Sequence, residues 1–324
     1  MTLSKRKNFS SAQLHELKKC LTQIPELEKE IGLCIYTTGS YGRLEAGKFS
    51  DIDLFFLTDK KNNISRISKT IIDASIIGTC REMKFPEFSG DGEYLQVHIV
   101  DNILEQLGSR SDDYLNYFTA RMLLLLESKP LYNEALYYKI INDILDRYYK
   151  DFDAHINNFQ PIFLVNDVIR FWRTMCLNYE HSRSRISQIK TTRRATKEIK
   201  TKASIKNLKL KFSRKLTCYS LLLCLLWGKK LTKLEVIRLI GLTPMERLDE
   251  LRQYREIQTL VDELVVLYRW FLDAVQKDAD NLYIWISKES NKVNAFDQAD
   301  KFGEIIVNIM LKTPYKSRLR YFLV

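Results

Sequence analysis

The stretch from Thr38 to Asp53 constrains the fold more than any other part of the chain. It reads Thr-Gly-Ser-Tyr-Gly-Arg-Leu-Glu-Ala-Gly-Lys-Phe-Ser-Asp-Ile-Asp, follows the apolar run Leu33-Cys34-Ile35-Tyr36 and continues into Leu54-Phe55-Phe56-Leu57. The pattern predicts a strand that ends at Gly39-Ser40, then a helical turn, then a second strand opening at Asp51. In a strand, residues i and i+2 share a face, so Asp51 and Asp53 would present two carboxylates roughly 6 to 7 Å apart, alternating with buried Ile52 and Leu54. Such a pair makes a metal-binding edge. Backbone N–H groups at a Gly-Ser turn that opens a helix suit a phosphate, because unsatisfied donors and the helix dipole both favour negative charge. A phosphate seat facing paired acids meets the needs of two-metal phosphoryl or nucleotidyl transfer, in which cations about 3.5 to 4 Å apart clamp the attacking and leaving oxygens.

Gly39-Ser40 followed by Ser50-Asp51-Ile52-Asp53-Leu54 resembles the signature of the DNA polymerase β-like nucleotidyltransferase superfamily. The fuller pattern, Gly39-x-Tyr41-Gly42-Arg43-x-Glu45 and then Ser-Asp-Ile-Asp-Leu, is most similar to the branch holding the protein-PII uridylyltransferases and related bacterial nucleotidyltransferases. A surface turn before a solvated acidic strand is the plainer reading of an isolated Asp-x-Asp; the ordered combination argues against it. The resemblance implies an α+β chain: a small mixed β-sheet nucleotidyltransferase domain, taken as residues 1–125, and a C-terminal all-helical domain, taken as 126–324, that closes over the nucleotide. It also implies transfer of a nucleoside monophosphate from a nucleoside triphosphate to an acceptor hydroxyl, with release of pyrophosphate. Asp51 and Asp53 would hold Mg²⁺, with Mn²⁺ as the alternative ion, and Gly39 and Ser40 would seat the β- and γ-phosphates. Arg43 has two readings, phosphate contact or pairing with Glu45 or Asp51 to hold the turn.

Most members of that superfamily carry a third carboxylate on a following strand. Here Tyr94 to Val100 alternates and reads as that strand, yet no acid stands in it; Glu93 lies just before and Asp101 just after. His98, placed as a strand histidine is in the uridylyltransferase-like branch, is one candidate for the metal shell and Glu93 the other, while a hydrogen-bonded structural histidine is the competing reading.

The leading segment Ser10-Ser11-Ala12-Gln13 fits a capping box, with Leu14, Leu17, Leu21 and Ile24 at helical spacing behind it and Pro25 ending that helix or beginning another. Ile64 to Ile77 reads as a crossover helix between strands. From Ser109 the chain reads as helical throughout, with Tyr114 to Ser128 stopped by Pro130 and Pro161 opening a helix that carries Asp167, Arg170 and Arg173 near one face.

Charge bears on the partner. Between Arg183 and Lys215 there are thirteen basic residues against one acid, a net of +12, while the whole chain carries +11. One segment therefore holds the entire excess, and it points to a polyanion: a triphosphate, a nucleic acid or an acidic protein surface. Ser182 to Ser204 has few apolar residues and is expected as a mobile loop or an exposed helix. Lys206 to Lys215 reads as an anchored helix, and by the family resemblance Lys209, Arg214 and Lys215 are candidates for triphosphate contact. The acceptor stays open between a protein side chain and RNA, a tRNA end among the latter. A cyclic-oligonucleotide synthase, which shares Gly-Ser and Asp-x-Asp, and a catalytically inactive nucleotide-sensing module are the rival readings. The six cysteines form no Cys-x-x-Cys pair and read as reduced core residues of a cytoplasmic protein, and the apolar run Leu216 to Trp227 is too short to span a membrane.

Overall fold

The computed structural model describes residues 1–59, 64–88, 95–156, 159–188 and 193–323. The chain is α+β, a four-stranded mixed sheet followed by many helices, and it forms two compact units: Met1–Phe159 with Thr232–Thr243, and Gln160–Leu231 with Pro244–Val324.

In the first unit, α1 (Leu3–Leu21), α2 (Pro25–Lys29), β1 (Leu33–Thr38), the single turn α3 (Gly39–Gly42) and β2 (Asp53–Thr58) come first. They are followed by α4 (Arg66–Glu82), β3 (Val97–Ile99), α5 (Val100–Glu105), α6 (Arg110–Tyr114), α7 (Tyr117–Glu127), β4 (Lys129–Tyr132) and α8 (Glu134–Tyr148). The strands lie in the order β3-β2-β1-β4, with β2 antiparallel to β1, β4 antiparallel to β1, and β3 parallel to β2. Strand alternation sorts the side chains between two cores. Leu33, Ile35, Leu54 and Phe56 pack with Leu14, Leu17 and Leu21 of α1 and Ile72 and Ile76 of α4. On the other face, Tyr36 stacks on Phe55 with ring centroids 5.6 Å apart, meets Tyr137 of α8 and donates its hydroxyl to the Ala120 carbonyl of α7.

Several expectations are corrected here. The first helix starts at Leu3, capped by the Thr2 hydroxyl, rather than at the Ser10-Ser11 box; Ser10 is buried in mid-helix, where its hydroxyl accepts from the Ala46 N–H at 3.0 Å. Pro25 begins a helix, at the position where its missing donor costs nothing. The chain is not helical throughout after Ser109: Lys129–Tyr132 forms the fourth strand, and Pro130 is tolerated because β4 lies at the sheet edge. The expected helix from Tyr114 is broken at Asn116, which takes a left-handed conformation between α6 and α7.

The second unit holds α9 (Ile162–Gln188), α10 (Arg193–Lys209), a π-turn (Leu210–Arg214) and α11 (Lys215–Trp227). The chain then places α12 (Lys233–Gly241) in the first unit, where Lys233 pairs with Asp146 of α8 and Lys129 donates to the Gly241 carbonyl at 2.8 Å. It returns to the second unit with α13 (Pro244–Leu251), α14 (Gln258–Ala274), α15 (Ala279–Ser287), α16 (Glu289–Leu311) and α17 (Arg320–Leu323). Phe212, in the π-turn, centres this core by stacking on Phe271 at 4.7 Å and meeting Phe302 at 4.9 Å. Ser182 to Ser204, expected as a loop or an exposed helix, is helical wherever it is described. Among the described residues no helix is long and apolar enough to cross a membrane.

Candidate active site

The register of the β1–β2 pair builds the site. Thr38, the last residue of β1, stands opposite Asp53, the first of β2, and the Thr37 hydroxyl donates to the Asp53 carbonyl at 2.9 Å. The next residue, Gly39, therefore sits against the Asp53 side chain. Its φ of +64° is a left-handed conformation that favours glycine, and a Cβ there would stand 2.5 Å from Asp53 Oδ2. Glycine is required twice over at this position. β2 opens at Asp53 rather than at Asp51, because β1 has already turned into α3 where a partner for Asp51 would lie. Asp51 is nonetheless near the same turn: its charge, after burial, helps push the Tyr41 hydroxyl pKa well above the usual value. Both carboxylates are half-buried and border the Gly39–Gly42 turn, Asp53 at Gly39 and Asp51 toward Tyr41.

Local hydrogen bonds and two remote helices, α7 and α1, hold the turn. The N–H of Arg43 donates to the Gly39 carbonyl at 3.0 Å and that of Glu45 to the Ser40 carbonyl at 2.8 Å, so the backbone of residues 39 to 45 folds on itself. The Arg43 guanidinium donates to Glu45 Oε2 at 2.9 Å and to Glu127 Oε2 at 2.5 Å, with all three side chains buried. Of the two readings of Arg43, pairing with Glu45 is the one its position matches. Glu127 closes α7, and a Cβ on Gly42 would overlap its main-chain oxygen, so the turn lies directly on the helix end. From α1, Arg6 donates to the Glu45 carbonyl at 3.1 Å and Ser10 accepts from Ala46. Sequence reading missed Glu127, Arg6 and Ser10. A single acid at the end of Leu123-Leu124-Leu125-Leu126 was the available signal, since an unpaired carboxylate does not survive in an apolar helix face.

The other nominated residues lie elsewhere. His98 pairs in register with Leu57, four residues along β2 from Asp53, or about 13 Å at strand rise, and its ring meets Tyr117 edge-on at 5.9 Å. The register thus does not bring His98 beside the two aspartates. Glu93 lies outside the described residues. Burial lowers the His98 pKa below 6.5. The unfolded chain then binds more protons at mildly acidic pH, so stability falls as pH drops through 6.5. Urea unfolding midpoints measured from pH 7.5 to 5.5 should show this decline, and His98→Phe should flatten it.

Lys209, Arg214 and Lys215 belong to the second unit, at the end of α10, in the π-turn and at the start of α11. Lys215 is largely buried, with its ammonium 5.6 Å from the centre of the Trp172 ring, and burial followed by the Lys211 charge lowers its pKa. Asp167 and Arg170 of α9 form an ion pair at 3.6 Å.

Among the described residues, no group of three or more His, Cys, Asp or Glu side chains is arranged to hold a metal ion. The donor set at the turn is two carboxylates. That set fits Mg²⁺, which commonly binds through one or two carboxylates and completes its shell with water and substrate phosphates.

Residues 17–142, from the second half of α1 into α8, match the family described as the nucleotidyltransferase domain. The matched segment is about two fifths of the chain and contains all four strands, the Gly39–Gly42 turn and both aspartates. Comparison with curated proteins gives no match.

Gly39→Ala tests the close approach of turn and acid. The left-handed backbone adds about 1 to 3 kcal/mol of strain, and the new Cβ displaces the Asp53 carboxylate. We expect a lower unfolding midpoint together with a loss of nucleotidyl transfer of about 100-fold, the usual cost of an ångström-scale misplacement.

Proposed function

We propose that the protein is a metal-dependent nucleotidyltransferase that moves a nucleoside monophosphate from a nucleoside triphosphate to an acceptor hydroxyl on RNA or protein, releasing pyrophosphate. The observation that carries this reading is the contact geometry of Gly39 with Asp53, which makes the turn and the acid a single site. Gly39 and Ser40 seat the triphosphate tail, and Asp51 and Asp53 hold Mg²⁺, or Mn²⁺ in its place. The bound cation supplies charge neutralisation at the phosphoryl oxygens. The chain's own part is positional. The Asp53 carboxylate is fixed by strand pairing at Thr38, and the turn is held from behind by Arg43, Glu45 and Glu127, so the acids and the phosphate seat keep one geometry when substrate arrives. Lys209, Arg214 and Lys215 remain candidates for contact with triphosphate by the family resemblance of their segment.

The test uses purified protein with Mg²⁺ and each α-labelled nucleoside triphosphate, offered total RNA, a protein extract or no acceptor. Label that becomes covalently attached to RNA or to protein supports transfer and names the acceptor. Absence of label from every acceptor with all four triphosphates would contradict it.

A further inference from the structure

The concentrated positive charge has a defined place in the second unit. Arg183 and Arg185 near the end of α9, and Lys197, Lys200, Lys202 and Lys206 on α10, are all exposed, and the two helices pack against each other. Arg183 pairs with Glu180 at 2.6 Å and Lys202 with Glu198 at 2.7 Å, with every partner at least half exposed. Such solvated pairs are weak and exchange readily for a phosphate oxygen.

The ligand class follows from three features. The four lysines of α10 run from Lys197 to Lys206, roughly 14 Å along the helix, with Arg183 and Arg185 on the last turns of α9, so the cations form a row along a surface, which suits the repeating phosphates of a polymer. Among the described residues no large hydrophobic side chain is exposed on α10, and beyond Arg173 on α9 only Leu177 is. A protein interface needs an apolar centre depleted of lysine, and a membrane-surface helix needs an apolar face to insert; this surface offers neither. Interfaces with nucleic acid, by contrast, are polar and strongly basic.

We infer that the α9–α10 face binds a nucleic-acid strand through its phosphodiester backbone. The face is separate from the Asp51–Asp53 site in sequence and in fold unit, so its binding does not depend on catalysis. It rests on the proposed reaction in one respect only: where that reaction holds, the bound strand is the acceptor class, in preference to a protein.

The experiment is fluorescence anisotropy of the full chain with a labelled 20-nucleotide single-stranded RNA of mixed sequence. A DNA strand of the same sequence and a polyglutamate peptide are run alongside. Four engaged phosphates predict an affinity that falls about 50-fold between 50 and 200 mM salt, with DNA bound similarly. The triple variant Lys197→Glu/Lys200→Glu/Lys206→Glu should weaken binding at least about tenfold. Lys288→Glu/Lys301→Glu/Lys312→Glu, an equal charge change on exposed lysines elsewhere in the same unit, should bind nearly as the parent does. Both triples alter exposed side chains, and matched circular dichroism checks their folding. No binding at 50 mM salt, equal effects of the two triples, or polyglutamate bound as tightly as RNA would each overturn the inference. Asp53→Ala keeps the two readings apart: it should bind RNA like the parent while its nucleotidyl transfer falls about a thousandfold or more. RNA binding with no nucleotidyl transfer by the parent would leave the face standing and remove the reaction.

Discussion

Asp53→Ala should lower nucleotidyl transfer by about a thousandfold or more with little change in the unfolding midpoint. The magnitude follows from removing a ligand of the cation that neutralises transition-state charge, a loss of several kcal/mol, and about 1.4 kcal/mol corresponds to each factor of ten. The mild effect on folding follows from position: Asp53 is half-buried at the first residue of β2, and the backbone pairing with Thr38 and the bond its carbonyl accepts from the Thr37 hydroxyl both survive truncation of the side chain. The variant is assayed by label transfer from the α-labelled triphosphate that the parent uses. Retained transfer would sink the assignment of Asp53, and a collapse in stability would show that its role is structural.

Glu127→Gln should have the reverse profile, a large loss of stability with the chemistry impaired through geometry. Replacing the buried Glu127 carboxylate by an amide removes a charge-assisted hydrogen bond from the guanidinium, which costs about 1.5 to 3 kcal/mol. Here Arg43 would lose the Glu127 charge in a site where Arg43 is 8% exposed and the Glu127 side chain 0%. Urea unfolding measures the first effect. The second is read on protein that remains folded: because the Gly39–Ser40 turn is tied to α7 through Arg43, the KM for triphosphate should rise more than kcat falls. A midpoint within about 0.5 kcal/mol of the parent, the scale of an ordinary surface substitution, would show that the triad is not the anchor.

The contrast between these variants also marks what the sequence discloses. The turn and the Asp-x-Asp pair are local: Gly39, Ser40, Asp51 and Asp53 fall within fifteen residues, and antiparallel pairing of the flanking apolar runs brings the two ends together. The α+β class follows from the same stretch together with the long helical remainder. What holds the turn comes from far away in the chain. Glu127 pairs with Arg43 across 84 residues and Ser10 meets Ala46 across 36, and no spacing rule connects them. Ser10-Ser11 even pointed the other way, since hydroxyls near a helix start are read as caps when a tertiary partner is invisible. β4 escaped for a similar reason. Pro130 ends a helix in any local reading, and only the edge position beside β1 makes Lys129–Tyr132 a strand. His98 shows the limit from the other side: the residue type suits a metal, but strand register, which sequence alone does not fix, sets it beside Leu57 and Tyr117.

Whether the domain performs chemistry is tested most directly by pyrophosphate release, followed for the parent protein with each nucleoside triphosphate and RNA in Mg²⁺, in Mn²⁺ and in chelator. Release should require the divalent ion, match the label incorporated into acceptor and fall about a thousandfold or more in Asp53→Ala. Triphosphate bound with no pyrophosphate released under either metal would contradict the proposed reaction, and would make the domain a nucleotide sensor.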